Sequence, residues 1–504
     1  MAVDVAHDVT FQRQQIASRT YGFRIGGSRI QQERSTLPAV DPTTERTITD
    51  VPLATMDDVD DAVAAANEAG RAWGRLHWTE RARALRAFAD VIEEHAEELG
   101  RLDTVDAGLP ISTAVKDAHD AAKACRYFAG LAGEVVGRAF PWSPGAPFMH
   151  TNREPYGVVG KIVPFNHPVK FAAVKSAPAL VTGNSVIVKP SEFTMLSALR
   201  LAELADEVLP PGVFTVLPGG ADVGAALVEH PDVPRLAFTG SVATGQHVMR
   251  GAATEIKHVT AELGGKNPLL VFPDVDIPQV ARAAVNSLDL FRSPGQACWS
   301  TSRVFVHEAI HDRFLDEVLR VVATIQVGDP LDQAMDIGPV AYEGHRDRVD
   351  ELIRSGIEEG ARPLAGGIPD RERTGFFVDP TVFADVEPGM RIAQEEVFGP
   401  VMSVLRWSDE SSLLAAANDV PYGLTAAIWS ADVGRAQVIA RELQAGIVWI
   451  NTASARPVGM PFGGYKRSGV GKEGNLEDLF SYTQEKAVIV GTDARSSEDL
   501  DPVC

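Results

Sequence analysis

The chain alternates short apolar runs with helical stretches after Tyr156, and this alternation constrains the fold more than any other feature of the sequence. The apolar runs are YGVVGKIVP, NSVIVK, FTVLPG, RLAFTG and HVTAEL. Strands that alternate with helices of about 10–15 residues indicate β-α-β units and a parallel sheet. The sequence therefore predicts an α/β fold, in which ligands bind beyond the carboxyl ends of the parallel strands.

The second half of the chain repeats this texture less regularly. Apolar runs NPLLVF, SRVFVH, VMSVLRW, AAIWS and GIVWIN are interspersed with helical stretches that start at Ile277, near Ser411 and at Val433. We expect a second α/β domain there, over about residues 268–465.

The region before Tyr156 has a different character. Thr55 followed by Asp58 is typical of a capping box, and the Ala-, Leu-, Glu- and Arg-rich stretch to about Leu102 predicts two or more amphipathic helices. We expect these helices to break between Gly70 and Trp78. The first 50 residues or so are expected to form a polar lead-in with short strands, and 495–504 a frayed tail.

The charge of the chain excludes several classes of protein. With 47 Lys and Arg against 68 Asp and Glu among 504 residues, the net charge is −21, which repels nucleic-acid phosphates and anionic lipid surfaces. No apolar run approaches the roughly 18–20 residues that span a bilayer, and MAVDVAHDVTFQRQQ lacks the apolar segment of a signal peptide. We expect a cytoplasmic protein that binds neither nucleic acid nor membrane.

Three cysteines are too few for a disulfide framework or a four-cysteine zinc site, so we expect no metal. Cys125 lies on a helical pattern and is typical of apolar filler, and Cys504 is the terminal residue. Cys298 lies in a loop-like stretch, GQACWSTS, where a nucleophile and apolar filler both remain open interpretations.

Further polar residues follow the predicted strands. Glu262 ends one strand before two glycines, where half-burial would raise its pKa and suit a general base, although a solvated turn residue is the alternative. Gly240, Ser241 and Gly245 in FTGSVATG open a helix and suit either a phosphate site or an ordinary tight turn. The acid of KPSE would favour NAD over NADP, because it would repel a 2′-phosphate.

Together these segments resemble the aldehyde dehydrogenase superfamily, from about residue 20 to residue 490. The resemblance rests on an ordered series of motifs: Pro164-Phe165-Asn166, Lys189-Pro190-Ser191-Glu192, Phe238-Thr239-Gly240-Ser241 with Gly245, Glu262-Leu263-Gly264-Gly265-Lys266, Gly295-Gln296-Ala297-Cys298, Glu395-Glu396-Val397-Phe398-Gly399-Pro400 and Pro461-Phe462-Gly463-Gly464-Tyr465-Lys466.

The resemblance implies a catalytic role for four residues. Cys298 would attack the aldehyde to give a thiohemiacetal, and Asn166 with the Cys298 backbone N–H would stabilise the oxyanion. After hydride transfer to the nicotinamide, Glu262 would activate the water that hydrolyses the thioester. Lys175 matches a lysine close to the catalytic pocket.

The resemblance also implies an NAD site, with NADP less favoured because Glu192 lies at its ribose end. Lys189 and Glu192 would hold the adenosine ribose, the segment around Gly240 and Ser241 the pyrophosphate, and Glu396 the nicotinamide ribose. The implied cofactor residues are Lys189, Ser191, Glu192, Gly240, Ser241, Gly245, Glu396 and Phe398.

One departure from the family pattern and one match to it bear on the reaction. Leu476 lies at the position where many members carry a second acid, with Glu473 and Glu477 nearby, so the role of a second acid is left open. Retention of Glu262 favours the hydrolytic branch over the branch that acylates coenzyme A. A non-catalytic family member and an esterase remain the alternatives of a different class.

Three cations indicate the substrate. Arg292 lies six residues before Cys298, as in succinic-semialdehyde dehydrogenases, which this stretch resembles. Arg456 and Lys170 are also expected near the substrate tunnel, and arginines suit carboxylate recognition. We expect a carboxylated aldehyde, with 2-formylbenzoate as an aromatic example. A semialdehyde, a neutral hydrophobic aldehyde and simple pairing of the cations with local acids remain alternatives.

The resemblance implies three structural parts. A Rossmann-like NAD domain would comprise 1–135 and 156–267, a catalytic α/β domain 268–465, and a small β oligomerisation ribbon 136–155 and 480–495. The ribbon implies a homodimer or homotetramer.

Overall fold

A computed structural model describes residues 2–30, 34–141 and 147–491 of the chain. The part before Tyr156 contains α1 (Ala2–Ala17), β1 (Arg24–Ile25), β2 (Ser28–Arg29), β3 (Thr36–Val40), β4 (Thr47–Pro52), α2 (Met56–Arg75), α3 (Trp78–Glu94), α4 (Ala96–Ala107), α5 (Ile111–Leu131) and β5 (Phe148–Pro155). The predicted break between helices is confirmed, since α2 ends and α3 begins within 70–78. The expected tail, 495–504 with Cys504, lies outside the described residues.

Helix α1 corrects the expectation of a polar lead-in with strands alone. Its sequence is polar, but Arg13 pairs with Asp41 at 2.6 Å and with Asp329 at 2.7 Å, and Ile16 is buried. These contacts with distant parts of the chain stabilise a helix that local hydrophobic periodicity does not indicate.

The first large sheet follows the predicted alternation. Its elements are β6 (Val158–Ile162), α6 (Pro168–Val174), α7 (Ala177–Val181), β7 (Ser185–Lys189), α8 (Leu196–Ala205), β8 (Phe214–Val216), α9 (Ala221–Glu229), β9 (Arg235–Thr239), α10 (Val242–Ala253) and β10 (His258–Glu262). These strands are parallel in the order β8-β7-β6-β9-β10, so the order reverses between β6 and β9. Ligands of such sheets bind at this point of reversal.

The second large sheet is formed by strands from the part of the chain that follows β10. Its part contains β11 (Pro268–Val271), α11 (Ile277–Ser287), β12 (Arg303–His307), α12 (His311–Val322), α13 (Glu343–Glu358), β13 (Arg362–Ala365), β14 (Thr381–Ala384), α14 (Arg391–Gln394), β15 (Val401–Trp407), α15 (Glu410–Asn418), β16 (Thr425–Trp429), α16 (Val433–Glu442), β17 (Ile447–Ile450), β18 (Gly469–Val470), α17 (Leu476–Ser481) and β19 (Thr483–Val490). The order is β13-β14-β15-β12-β11-β16-β17, with β13 antiparallel to its neighbour.

Two short connections tie the parts together. Strand β18 returns to the first sheet and pairs antiparallel with β10, which places the segment after Tyr465 beside Glu262. Strands β5 and β19 pair antiparallel along their full length, from Thr483 opposite Pro155 to Val490 opposite Phe148. Residues 142–146 of the expected ribbon lie outside the described part of the chain.

Candidate active site

The polar motifs meet at the carboxyl edge of the first sheet. Asn166 lies four residues after β6, Ser191 and Glu192 follow β7, and Ser241 follows β9. Glu262 is the last residue of β10. Because all these strands are parallel, their carboxyl ends share one edge, and the motifs that are far apart in the sequence surround one cleft.

Cys298 lies on a loop that approaches this edge from the second sheet. Asn267, directly before β11, donates its side-chain amide to the Cys298 carbonyl at 2.7 Å. Asn166 donates to the Gln296 carbonyl at 2.9 Å, while its side-chain oxygen has no partner among the described residues. These bonds hold the cysteine loop against the segment after β6 and the start of β11.

The Cys298 thiol is a free thiol in an apolar surrounding. Burial raises its pKa to about 12, and the positive charge of Arg456 opposes that rise. The thiol is therefore protonated at neutral pH, and attack on a substrate requires a group that takes its proton.

Glu262 is buried beside the same loop, with 2% of its surface exposed. Both carboxylate oxygens lack a hydrogen-bond partner among the described residues. Burial, together with the negative charge of Glu473, raises its pKa well above the usual range for glutamate. A carboxylate in this state is a stronger base than a solvated one.

The structure places an acid beside Lys175, where the sequence left the question open. The Lys175 ammonium forms a buried ion pair with Glu473, and the charge of Glu262 also helps to raise the lysine pKa. Leu476 begins α17, and Glu477 accepts a hydrogen bond from Asn475. Of Glu473 and Glu477, Glu473 is therefore the acid that pairs with Lys175 and lies at the carboxyl edge of the first sheet.

A second group of residues lies at the ends of β7 and β9. The Lys189 ammonium lies 3.2 Å from Glu192, and Ser191 accepts a hydrogen bond from the Phe193 amide at 3.3 Å. Ser241 caps α10 by accepting from the Thr244 amide at 3.2 Å. The Glu192 carboxylate and the two serine hydroxyls here suit ribose hydroxyls and a phosphate.

Glycines let the backbone of β9 and α10 approach its neighbours closely. A Cβ at Gly245 would lie 2.6 Å from a Leu263 methyl carbon, and one at Gly240 would lie 2.6 Å from the Phe238 ring. The Gly240 amide donates to the Glu262 carbonyl at 3.1 Å. The helix N-terminus is thereby held against the strand that carries Glu262.

Glu396 and Phe398 face this edge from the second sheet. Glu396 accepts the Gly265 amide at 2.9 Å, and burial raises its pKa to about 7. Phe398 adopts a positive φ of 55°, its carbonyl accepts from His345 at 2.8 Å, and its ring lies 5.7 Å from that of Phe165.

Of the three expected substrate cations, Arg456 lies near the thiol, where its charge acts on Cys298. The Arg456 guanidinium lies 3.4 Å from the centre of the Trp299 ring, directly beside Cys298 in the chain. Arg292 is exposed, and its charge acts on both Arg456 and Asp289. Neither arginine forms an ion pair with an acid of residues 2–30, 34–141 or 147–491.

Lys170 differs from the two arginines. Its ammonium lies 2.6 Å from Asp117 and 3.4 Å from Asp120. The expectation that Lys170 offers a free charge to the substrate is therefore corrected, because two carboxylates on α5 already neutralise it.

Sequence reasoning missed a histidine beside Asn166. His167 is buried, its Nδ1 lies 2.5 Å from Asp117, and its ring stacks on Trp299 with centres 5.6 Å apart. The sequence feature that could have indicated His167 is its position between Asn166 of the Pro-Phe-Asn motif and Pro168, which begins α6.

The described residues contain no group of three or more metal-binding side chains and no helix long and apolar enough to cross a membrane.

Comparisons with known proteins agree with this geometry. Residues 30–488 match the model of the aldehyde dehydrogenase family. The chain is 44% identical to aldehyde dehydrogenase tropH of Talaromyces stipitatus, over 89% of each chain. It is 43% identical to betaine aldehyde dehydrogenase of Brucella canis, over 92% of this chain and 96% of that protein.

A solved structure shows the same fold. Betaine aldehyde dehydrogenase from Staphylococcus aureus in complex with NAD+ superposes with a TM-score of 0.93 at 34% identity, covering 98% of this chain and 99% of that one. The expected α/β fold is thereby confirmed. The chain belongs to the aldehyde dehydrogenase family and is an oxidoreductase that acts on the aldehyde group.

Proposed function

We propose that the protein oxidises an aldehyde to a carboxylic acid with NAD, through a covalent intermediate on Cys298. The proposal rests on one observation: Glu262 is buried beside the cysteine loop, and both of its carboxylate oxygens lack a hydrogen-bond partner among the described residues. Hydrogen bonds from Asn166 and Asn267 hold that loop in place. A nucleophile, a base and an amide meet there.

Each residue has a defined task in this proposal. Glu262 takes the proton of the Cys298 thiol and releases it to solvent, and the sulfur adds to the carbonyl carbon. The Asn166 side-chain N–H with the Cys298 backbone N–H stabilises the oxyanion. After oxidation the thioester carbon is electrophilic, and Glu262 takes a proton from the attacking water. Lys175 and Glu473 form the ion pair whose charges set the protonation of Glu262.

The chain also fits NAD. Glu192 and Glu396 offer carboxylates to two ribose rings, and the amides at the start of α10 offer donors to a pyrophosphate. When bound, NAD accepts the hydride that the aldehyde carbon loses. The relative from Staphylococcus aureus was solved with NAD+. The charge of Glu192 disfavours the 2′-phosphate of NADP.

The substrate carries a carboxylate in addition to its aldehyde. Arg456 leaves an unpaired guanidinium group near the thiol, the charge of the exposed Arg292 acts on Arg456, and guanidinium groups suit a planar carboxylate. An aromatic formyl-carboxylate such as 2-formylbenzoate places the two groups on one rigid ring, and succinic semialdehyde places them on a flexible chain.

The second candidate is a betaine-type aldehyde, favoured by the 43% identity to betaine aldehyde dehydrogenase of Brucella canis. A quaternary ammonium would lie close to the Arg456 charge, which repels it. The sequence similarity and the local charge therefore predict opposite substrates.

Replacement of one arginine tests recognition of the carboxylate. We expect Arg292→Ala to raise KM for 2-formylbenzoate at least tenfold and to change KM for benzaldehyde little, because only the former carries the charge. Arg282→Ala, at an exposed arginine on α11, is the matched control. Equal effects of Arg292→Ala on both aldehydes would show that the arginine has a structural role.

A further inference from the structure

Arg456 lies against the residue that directly follows the nucleophile in the chain. Its guanidinium carbon is 3.4 Å from the centre of the Trp299 ring and 5.9 Å from the centre of the Phe462 ring. Trp299 is buried in the core of the second sheet, with 2% of its surface exposed, whereas Arg456 is exposed. An exposed cation is thus stacked on a ring that the hydrophobic core holds in place.

The stacked geometry decides which atoms of Arg456 remain available. At 3.4 Å the guanidinium carbon lies over the face of the indole, and the two planes must be close to parallel, because a guanidinium turned on edge would clash with the ring. The attraction between cation and indole acts through this face. The N–H donors lie at the edge of the guanidinium plane, and they donate to no residue that the structure describes. That edge is therefore free to bind a carboxylate.

Hydrogen bonds fix the backbone that carries Trp299. The Asn267 side-chain amide donates to the carbonyls of Cys298 and Ser300 at 2.7 and 2.9 Å. The Thr425 hydroxyl donates to the Trp299 carbonyl at 3.1 Å. Because three consecutive carbonyls are held, the segment fixes the indole relative to the thiol.

A buried histidine supports the indole ring itself. The His167 ring stacks on Trp299, with centres 5.6 Å apart and an angle of 17° between the planes. Asp117 lies 2.5 Å from His167 Nδ1, and the Lys170 ammonium lies 2.6 Å from Asp117. Lys170, whose charge is neutralised, thus belongs to the row of contacts that holds the ring under Arg456.

We propose that Trp299 is a positioning residue for substrate specificity, which holds the Arg456 guanidinium beside the thiol with its N–H edge available to a substrate carboxylate. A free arginine loses side-chain entropy when it binds a carboxylate, and an arginine already held by a ring loses less. Trp299 therefore favours the binding of carboxylated aldehydes without taking part in the chemical step. The role rests on the proposed recognition of a carboxylate by Arg456.

The test separates binding of the carboxylate from the chemical step. KM and kcat are measured from NADH formation with 2-formylbenzoate and with benzaldehyde, which share the reacting group and differ in the carboxylate. We define the KM ratio as KM for 2-formylbenzoate divided by KM for benzaldehyde. We expect Trp299→Leu to raise this ratio about three- to thirtyfold, and to leave the ratio of the two kcat values at its wild-type level.

Two further variants control for the loss of a buried tryptophan. Trp299→Phe keeps a weaker aromatic face, so we expect it to raise the KM ratio by less than Trp299→Leu does, and it carries the comparison if Trp299→Leu does not fold. Trp429→Leu is the matched control, because Trp429 on β16 is also buried and its indole N–H also lacks a partner among the described residues. It should leave the KM ratio at the wild-type value.

A double variant shows whether the indole acts through the arginine. We expect Arg456→Gln to raise the KM ratio, and Trp299→Leu added to Arg456→Gln to raise it no further, because the ring then has no guanidinium to position. Calorimetric titration with phthalate, the dicarboxylate product of 2-formylbenzoate, gives the same comparison of binding for a variant that does not turn over.

Each outcome decides one claim. Equal rises of KM for both aldehydes in Trp299→Leu, or the same rise of the KM ratio with and without Arg456, overturn the positioning role and leave carboxylate recognition intact. An unchanged KM ratio in Arg456→Gln overturns recognition of the carboxylate by Arg456, and the role of Trp299 with it. Absence of NADH formation by the wild-type protein with both aldehydes contradicts the proposed oxidation.

Discussion

Glu262 links the chemistry of the site to the stability of the chain. Its burial without partners is unfavourable for the ionised form, so it lowers the free energy of unfolding at neutral pH. As the proposed general base, Glu262 would be kept reactive at the expense of the folded state.

Glu262→Gln is expected to lower kcat by roughly 10²–10⁴-fold, because the thioester then lacks its general base. It is also expected to raise Tm. The folded-state pKa lies above the unfolded one, so the cost of the ionised carboxyl grows as pH rises through the unfolded value and is absent in acid. Scanning calorimetry at several pH values measures this difference.

Glu477→Gln, at an exposed glutamate, is the control and is expected to change neither kcat nor Tm. A Glu262→Gln protein that keeps its kcat would rule out the assigned role. A Tm difference that grows toward acid would contradict the linkage.

Arg456 is expected to tune the thiol. Arg456→Met removes the charge that opposes the rise in the Cys298 pKa, so the thiolate fraction at a given pH falls, by about three- to tenfold. The rate of alkylation by iodoacetamide against pH measures this, in a Cys504→Ser background where buried Cys125 does not compete. Arg456→Lys keeps the charge and serves as control; identical pH profiles for all three proteins would exclude the effect.

Single residues also mark the limit of prediction from sequence. Cys298, Glu262 and Asn166 could be selected because each belongs to a recognisable motif. The pairing of Lys175 with Glu473, the neutralisation of Lys170 by Asp117 and Asp120, and the unpaired nitrogen of His167 depend on contacts between distant segments, which no local pattern encodes.

Among the elements, β7 and the loop after it are expected to select the cofactor. Glu192→Ser removes the carboxylate beside Lys189 and leaves the lysine free for a 2′-phosphate, so the NADP-to-NAD ratio of kcat/KM should rise about tenfold or more. Steady-state kinetics with both cofactors measures the ratio. Glu207→Ser, at an exposed acid after α8, is the control and should leave the NADP-to-NAD ratio at the wild-type value. An unchanged ratio in Glu192→Ser would show that Glu192 has no part in cofactor selection.

Helices and strands could be predicted from the sequence where a hydrophobic pattern lies within the element itself. The strands β6 to β10 and β15 to β17 coincide with apolar runs of the sequence, since most of their residues are buried. Helix α1 was not predictable, because its stability comes from the pairing of Arg13 with Asp41 and Asp329 rather than from an apolar face.

The molecule as a whole exposes apolar surface on its two-stranded ribbon. Phe148 on β5 and Ile489 and Val490 on β19 are exposed, and an isolated two-stranded ribbon is marginally stable in water. We propose that a second copy of the chain covers this surface, giving a homodimer or homotetramer.

Ile489→Asp is expected to shift the oligomer toward smaller species, because a carboxylate would be buried at the interface. Sedimentation velocity measures the distribution. Ile368→Asp, which places the same charge at an exposed isoleucine far from the ribbon in sequence, is the control. An unchanged distribution for Ile489→Asp would show that the ribbon does not carry the association.

The most direct measurement is NADH formation by the wild-type protein with one set of aldehydes: benzaldehyde, 2-formylbenzoate, 4-formylbenzoate, succinic semialdehyde, butanal and betaine aldehyde. The unpaired Arg292 and Arg456 predict the highest kcat/KM for carboxylated members. A higher value for betaine aldehyde or for the neutral aldehydes would contradict recognition of a carboxylate by these arginines.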